Sequence, residues 1–379
     1  MERLKCNSKN IQLSLGIVIF VIISNLFLIV VSIALTRRKP SISDKKTSLP
    51  VHEFTQNSTA QSVALRVYEP EPLELVNIFA KNHDWIATLS AEHLRTIAVT
   101  GDVMLGRSVN TSVIRSGNFT SLYGGIRELL SKTDITLINL ESPIVTDCPL
   151  TESGMVFCAD PRHIDGLISA GVDVVEFANN HAGNYQQKGI NETVSLLRGN
   201  GLSVAGIDET VIIPIRGVRF AFLAYNDVGK QVGVKNADEM LISEEIHEVR
   251  NRADIIVVLF HWGTEYTHRP TRRQRQLARY AVDQGADVVV GNHPHWVQGI
   301  DLYRGKPIVY SHGNFIFDQM WSEETRQGVV GTYTFFDTRL IDISFTPIYI
   351  ESGGKPGIET DEARKQQLLF SMEEESAVY

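Results

Sequence analysis

Six short apolar runs in this chain each end on side chains able to bind metal or move protons. Ile97-Ala-Val-Thr leads into Gly101-Asp102, and Thr136-Leu-Ile into Asn139-Leu140-Glu141. Val174-Val-Glu-Phe-Ala leads into Asn179-Asn180-His181, and Ile256-Val-Val-Leu-Phe into His261-Trp262-Gly263. Val288-Val-Val leads into Gly291-Asn292-His293-Pro294-His295, and Ile308-Val-Tyr into Ser311-His312-Gly313-Asn314-Phe315. Asp102 and Glu141 offer carboxylate oxygens, Asn180 an amide oxygen, and His261, His293 and His295 imidazole nitrogens. Oxygen and nitrogen ligands without a thiolate suit Mn, Fe or Zn in a reactive site better than a structural zinc. Six ligands exceed the need of one ion. Two ions ~3.5–4 Å apart, sharing one carboxylate, would use them all, activate a water and stabilise an in-line displacement at phosphorus. One histidine after a strand is ordinarily a hydrogen-bonded loop residue; six such positions together are hard to read as punctuation.

The runs Ile97–Thr100, Ile135–Ile138, Val172–Phe177, Ile255–Phe260, Val288–Val290 and Pro307–Tyr310 are rich in β-branched residues. Helical spacing precedes several of them, at 121–132, 161–170, 186–200, 238–252 and 271–285. Continuous apolar runs alternating with helical periods predict strands buried on both faces, hence an α/β fold. Residues 211–224 and 329–350 read as hairpins, so the sheet is expected to be mixed. Open α/β sheets bind ligands beyond the carboxyl ends of their strands, where these six runs end.

The ordered blocks Gly101-Asp102-Val-Met-Leu-Gly-Arg107, Asn139-Leu-Glu141, Asn179-Asn180-His181, His261-Trp262-Gly263, His293-Pro294-His295 and Gly313-Asn314-Phe315-Ile-Phe-Asp318-Gln319 resemble those of the CapA-type capsule-synthesis proteins, the PgsA-like accessory proteins of poly-γ-glutamate synthesis. The resemblance spans roughly residues 96–350. It implies a divergent branch of the calcineurin-like metallophosphoesterases and a four-layer α/β/β/α sandwich. By the same resemblance, Asp102, Glu141 and His295 hold one metal. Glu141, Asn180, His261 and His293 hold a second, with Glu141 bridging. His181 is then the general acid that protonates the leaving group. Three positions depart from the pattern. Met104 stands where the wider superfamily has histidine, and a thioether is a poor ligand for hard metals, which leaves the first site weak or empty. Asn184 replaces an aspartate three residues after His181, so a neutral partner supports that imidazole less. Asn292 replaces a histidine, though both outer histidines remain.

Arg107 either binds a phosphate or carboxylate in the site or forms a salt bridge that shapes its loop. Arg269, Arg272, Arg273, Arg275 and Arg279 lie in or beside a helix just past His261; they read as a solvated face or as an attractor of an anionic polymer. Trp262 and Trp296 are expected to pack around the metal ligands, and His312 to support them. Two functions follow. One is an accessory role in capsule or poly-γ-glutamate synthesis and export, within a membrane complex. The other is a metal-dependent phosphoesterase acting on a cell-envelope phosphate ester.

The 379 residues carry 36 basic and 44 acidic side chains, a net of −8. Residues 1–46 alone carry a net of +6, which leaves −14 for the rest. A basic head on an acidic body points to a membrane and away from nucleic acid. Leu13–Leu35 has no charge, and at ~1.5 Å per residue it can cross a ~30 Å hydrocarbon core. A cleaved signal peptide is the alternative; the length of the run and the weak cleavage site favour an uncleaved anchor. The layout is then a cytoplasmic stub (1–12), a single-pass anchor (13–35), a linker and unassigned segment (36–95), the main domain (96–350) and an acidic, poorly packed tail (351–379) with one helix near 361–372. Lysine and arginine counts slightly favour a cytoplasmic body, but long domains cross regardless of such counts. Cys148 and Cys158 are either a loop-closing disulfide or two free thiols; the disulfide would fit an extracytoplasmic body at the cell membrane.

Overall fold

A computed structural model describes residues 73–376. The expected anchor at Leu13–Leu35 and most of the linker lie outside these residues. Among the described residues no helix is long and apolar enough to cross a membrane.

The chain visits two sheets in turn. It first lays down β1 (Leu94–Val103), β2 (Ile135–Leu140), β3 (Val174–Glu176) and β4 (Ser203–Ala205). It then builds a second sheet from β5 (Val211–Ile215), β6 (Val218–Asn226), β7 (Ile255–His261), β8 (Val288–Asn292), β9 (Ile300–Tyr303) and β10 (Lys306–Val309). It returns to the first with β11 (Asn314–Ile316), β12 (Gln327–Phe336), β13 (Arg339–Glu351) and β14 (Lys355–Ile358). The first sheet runs β14-β13-β12-β1-β2-β3-β4, with β11 also on β1. The second runs β5-β6-β7-β8-β10-β9. The first sheet is parallel from β1 to β4 and antiparallel from β1 through β12 and β13 to β14, whereas the second is parallel at its centre with an antiparallel strand at each edge. The expectation of a mixed sheet holds, divided over two.

Alternation along the strands explains the packing. Phe220, Phe222, Val257 and Leu259 face the core shared with the first sheet, while Leu223, Tyr225, Ile256 and Val258 face helices. Phe220 meets Phe335 of β12 edge to face at 5.2 Å. The helices, in chain order, are α1 (Leu75–Ile78), α2 (Arg107–Ser116), α3 (Arg127–Leu130), α4 (His163–Ser169), α5 (Gln186–Gly199), α6 (Glu239–Arg250), α7 (Arg272–Gln284) and α8 (Glu362–Ser376). Ile242 and Ile246 of α6 and Leu277, Ala278 and Ala281 of α7 cover the outer face of the second sheet. A strand hydrophobic on both faces needs cover on both, which this arrangement supplies.

The C-terminal stretch carries the expected helix, over Glu362–Ser376, but is better packed than expected. Residues 351–376 are packed: β14 extends the first sheet, and α8 buries Leu368, Met372 and Ser376. Ser376 Oγ accepts the Ile300 N–H at 2.8 Å, so the helix end is pinned to β9. The stretch looks loose in sequence because the buried residues sit four apart among acids, a stripe narrower than an ordinary amphipathic face.

Candidate metal centre

Register alone brings the acids together. Asp102 on β1 pairs with Asn139 on β2, which pairs with Glu176 on β3. In the second sheet Asn226, His261 and Asn292 form a matching row across β6, β7 and β8. The rows meet through Asn139, whose Nδ2 donates to Asp102 Oδ1 at 2.7 Å and lies 3.2 Å from His261 Nδ1. His261 continues the inward phase of Val257 and Leu259, so its imidazole is fully buried between the sheets.

Close backbone approach completes the centre. A Cβ on Gly101 would lie 2.1 Å from the Gly313 carbonyl oxygen, so the strand before Asp102 requires glycine there. His293 and His295 adopt φ of 97° and 59°, a left-handed geometry that side chains with a Cβ rarely take and that clusters at functional sites. The His293 N–H lies 3.3 Å from both Asp102 oxygens, and His295 Nδ1 lies 3.0 Å from Asp102 Oδ2. His261 Nε2 is 2.8 Å from Asn180 Oδ1 and 3.0 Å from a Glu141 oxygen.

Two groups of ligand atoms result, each within 4.8 Å: Glu141 with His293 and His295, and Asp102 with Glu141 and His261. Glu141 belongs to both. The partition of His261 and His295 between the groups is the reverse of the one the resemblance implies. Both Glu141 oxygens and His293 Nδ1 are buried without a hydrogen-bond partner. Buried polar atoms without partners are costly, and unpaired oxygen and nitrogen donors aimed into one space fit a divalent cation.

The electrostatics divide the ligands. Burial drives Glu141 well above the usual carboxylate range, with the Asp102 charge adding to the push. Burial lowers His261 to about 3 and takes His293 well below its ordinary value. Asp102 goes the other way: burial alone would raise it, but His295 pulls it down. Burial would likewise lower His295, but Glu141 and Asp102 hold it up at about 9. Asp102 and His295 are therefore the ion pair of the centre.

The other expected residues fall into place around this core. Burial lowers His181 to about 4, against the Asn184 contact. Asn184 Oδ1 receives the Phe157 N–H at 2.6 Å and lies 3.2 Å from His181 Nδ1, so that nitrogen must be the donor. Arg107 forms the salt bridge: its Nη2 meets Asp318, and its guanidinium lies over the Phe157 ring at 4.6 Å. Met104 Sδ accepts the Gly106 N–H at 3.0 Å and so serves the loop. Trp262 is buried, stacks on Phe260 at 4.5 Å and donates to the Tyr310 carbonyl at 2.9 Å. His312 is buried against the Tyr333 hydroxyl at 3.2 Å. The arginines past His261 are substantially paired: Arg269 with Glu375, Arg273 with Asp227 and Glu239, and Arg279 with Asp301.

Sequence reasoning missed three residues. Glu176 is fully buried beside Asp102 and Glu141, yet in the sequence it lies inside an apolar run; only the register of β3, whose last residue it is, reveals it. Asn139 stands in one of the sequence blocks, but only the structure shows that it links the two sheets. Phe157, inside the loop closed by the Cys148–Cys158 disulfide, stacks on His181 with ring centres 4.0 Å apart.

Residues 96–319 match the family described as "Bacterial capsule synthesis protein PGA_cap", and this span contains every ligand named above. The chain belongs to the PGA_cap family. Within that family it is 31% identical over 281 residues to the "Capsule biosynthesis protein CapA" of Bacillus anthracis, covering 68% of each chain. It is 29% identical over 304 residues to the "PGA biosynthesis protein CapA" of Bacillus subtilis (strain 168), covering 76% of this chain and 80% of that one. Among solved structures, a phosphatase from Mycoplasma pneumoniae aligns over 68% of this chain and 95% of its own, at 14% identity and a TM-score of 0.48.

Proposed function

We propose that this chain is a CapA-like, membrane-anchored component of capsule or poly-γ-glutamate synthesis or export, with a dinuclear metal centre of metallophosphoesterase type. Leu13–Leu35 is the anchor, the body is extracytoplasmic, and the partners are the membrane, a synthesis or export complex and an anionic polymer or phosphate ester. The four-layer sandwich is part of this reading. The observation that carries it is the pair of ligand groups joined through Glu141, whose two oxygens are buried without hydrogen-bond partners. The relatives named for capsule and poly-γ-glutamate biosynthesis support the biological half.

One or two Mn, Fe or Zn ions are the proposed cofactors. When bound, such ions supply polarisation of phosphoryl oxygens and acidification of a water. Asp102, Glu141, Asn180, His261, His293 and His295 would hold them. His181 keeps its Nδ1 proton on Asn184, which leaves Nε2 to carry a proton towards a leaving oxygen. Burial keeps that ring neutral in the free protein. A phosphate dianion arriving nearby favours the imidazolium, so the proton is gained with substrate. Arg107, paired with Asp318, lies over the Phe157 ring on which His181 stacks.

The second reading, a free-standing phosphoesterase acting on an envelope phosphate ester, is favoured by the same ligand set. Full-length protein in detergent should be assayed on a generic aryl phosphate with Mn, Fe and Zn, beside Asp102→Asn, His181→Ala and His293→Ala. Turnover lost in all three variants supports hydrolysis. A deletion strain with unchanged capsule would count against the synthesis role and leave the phosphoesterase reading.

A further inference from the structure

The two expected site residues that are not metal ligands, His181 and Arg107, pack on one aromatic ring. Phe157 is 1% exposed. His181 lies against it with ring centres 4.0 Å apart and an interplanar angle of 25°. The Arg107 guanidinium carbon sits 4.6 Å from the same ring centre. Phe317 closes the arrangement, edge-on to Phe157 at 6.3 Å and 4.8 Å from the His295 ring.

The loop that carries Phe157 holds these residues at further points. Its backbone N–H donates to Asn184 Oδ1, the same oxygen that receives His181 Nδ1–H. The Gly154 carbonyl accepts from Arg107 Nη1 at 3.2 Å. At the base, Cys158 is bonded to Cys148, the Tyr185 hydroxyl lies 3.3 Å from Cys158 Sγ, and Ala159 exchanges backbone bonds with Pro143 and Val145. The loop also exposes Leu150, Met155 and Val156. A loop with exposed apolar side chains gains little from burying itself, so its covalent and polar anchors must hold it in place.

We propose that the Cys148–Cys158 loop is a positioning clamp, and that Phe157 is the residue through which it fixes His181 and Arg107. Phe157 acts through its neighbours. A flat ring stacked on an imidazole limits its rotation about the Cβ–Cγ bond, and a guanidinium held over the other ring contact cannot swing into the site freely. Preorganised acids and cations are worth more than mobile ones, because orientation is then settled before substrate arrives.

Turnover as a readout rests on the proposed phosphoesterase-type site; a second readout does not. In full-length, metal-loaded protein in detergent, the rate at which diethyl pyrocarbonate modifies His181 is followed by peptide mass spectrometry. Phe157→Ala and the Cys148→Ser/Cys158→Ser double variant should each raise that rate about tenfold, with bound metal unchanged, whereas Phe157→Tyr should keep the wild-type rate. On an aryl phosphate the same two variants should lose about tenfold in kcat with KM little changed, and Phe157→Tyr should restore it. A wild-type modification rate in Phe157→Ala overturns the clamp, as does loss of metal from that variant, which would make the ring merely structural. If wild type turns over no ester while His181 still becomes reactive in Phe157→Ala, the clamp stands and the hydrolytic reading falls.

Discussion

Glu141 and His261 meet at 3.0 Å, both fully out of solvent, where burial works against the charged form of each. Burial is the main cause on both sides, raising the acid and lowering the base. Two ligands are thus held together against the cost of burying them, and neither Glu141 oxygen makes a hydrogen bond.

A divalent ion should relieve that frustration. Metal binding needs deprotonated ligands and acts on the folded state, so it should release protons and raise stability. At a metal concentration of 100 Kd the gain is about 2.7 kcal/mol. Thermal melts of full-length protein with Mn, Fe or Zn, against chelator, measure it. Glu141→Gln keeps the volume and loses the shared ligand, so its melting temperature should no longer respond to metal. Wild type that responds to none of the three would sink the metal reading.

Much of this centre is legible in the sequence, for a physical reason. A parallel strand buried on both faces must be a continuous apolar run, so the first polar residue after it marks the sheet edge where ligands bind. Asp102, Glu141, His261, His293 and His295 are visible in that way. Glu176 is not. Charge within Val174-Val-Glu-Phe reads as an edge or surface position, and only the pairing Asn139–Glu176 shows it to be interior. The helix α2 over Arg107–Ser116 is hidden because Val, Asn, Thr and Ser are weak helix formers; tertiary packing of Val109 and Val113 imposes it. Phe157 is hidden because a disulfide loop places it, and contact between residues 157 and 181 leaves no periodicity to read.

Glu176 gives a pH signature. Burial, then the Asp102 charge, pushes its carboxyl well above the usual range, and its Oε1 has no hydrogen-bond partner. A raised acid binds its proton more tightly in the folded than in the unfolded state. Its contribution is full below the unfolded value of about 4.5 and is lost as pH rises toward the folded value, at about 1.4 kcal/mol per pH unit. Glu176→Gln removes this slope. In chelator, urea unfolding at pH 5 and 8 should show the variant gaining stability relative to wild type at the higher pH. Equal slopes would mean that Glu176 is charged in the folded protein.

His163 should act in the opposite direction. It opens α4, fully buried, with Nε2 3.0 Å from Asn110 Oδ1 and its ring edge-on to Phe119 at 5.2 Å. Burial lowers it to about 4. The unfolded chain takes up this proton near pH 6.5, so the folded state loses stability as pH falls from there toward 4, by about 3 kcal/mol in all. His163→Gln keeps a donor for Asn110 and removes the titration. Denaturant midpoints between pH 7.5 and 4.5 should fall less steeply in the variant than in wild type; parallel curves would show that other groups govern acid lability.

Gly101 ties fold to site most tightly. The β1–β2 register shifts between Val99 and Asp102, and there the Asp102 N–H donates to the Gly313 carbonyl at 2.9 Å while β11 pairs alongside. An added methyl would meet that backbone carbonyl oxygen at 2.1 Å, with no flexible side chain to give way. Gly101→Ala must therefore push β11 from β1. That moves Asn314, which holds His295 Nδ1 at 3.0 Å, and with it the imidazole that pairs with Asp102. Overpacking of this kind costs about 1–3 kcal/mol. The expected result is a folded protein with a lower urea midpoint and metal affinity weakened beyond what stability alone accounts for. Wild-type metal affinity in a folded Gly101→Ala variant would show that the β1–β11 contact does not set the position of His295.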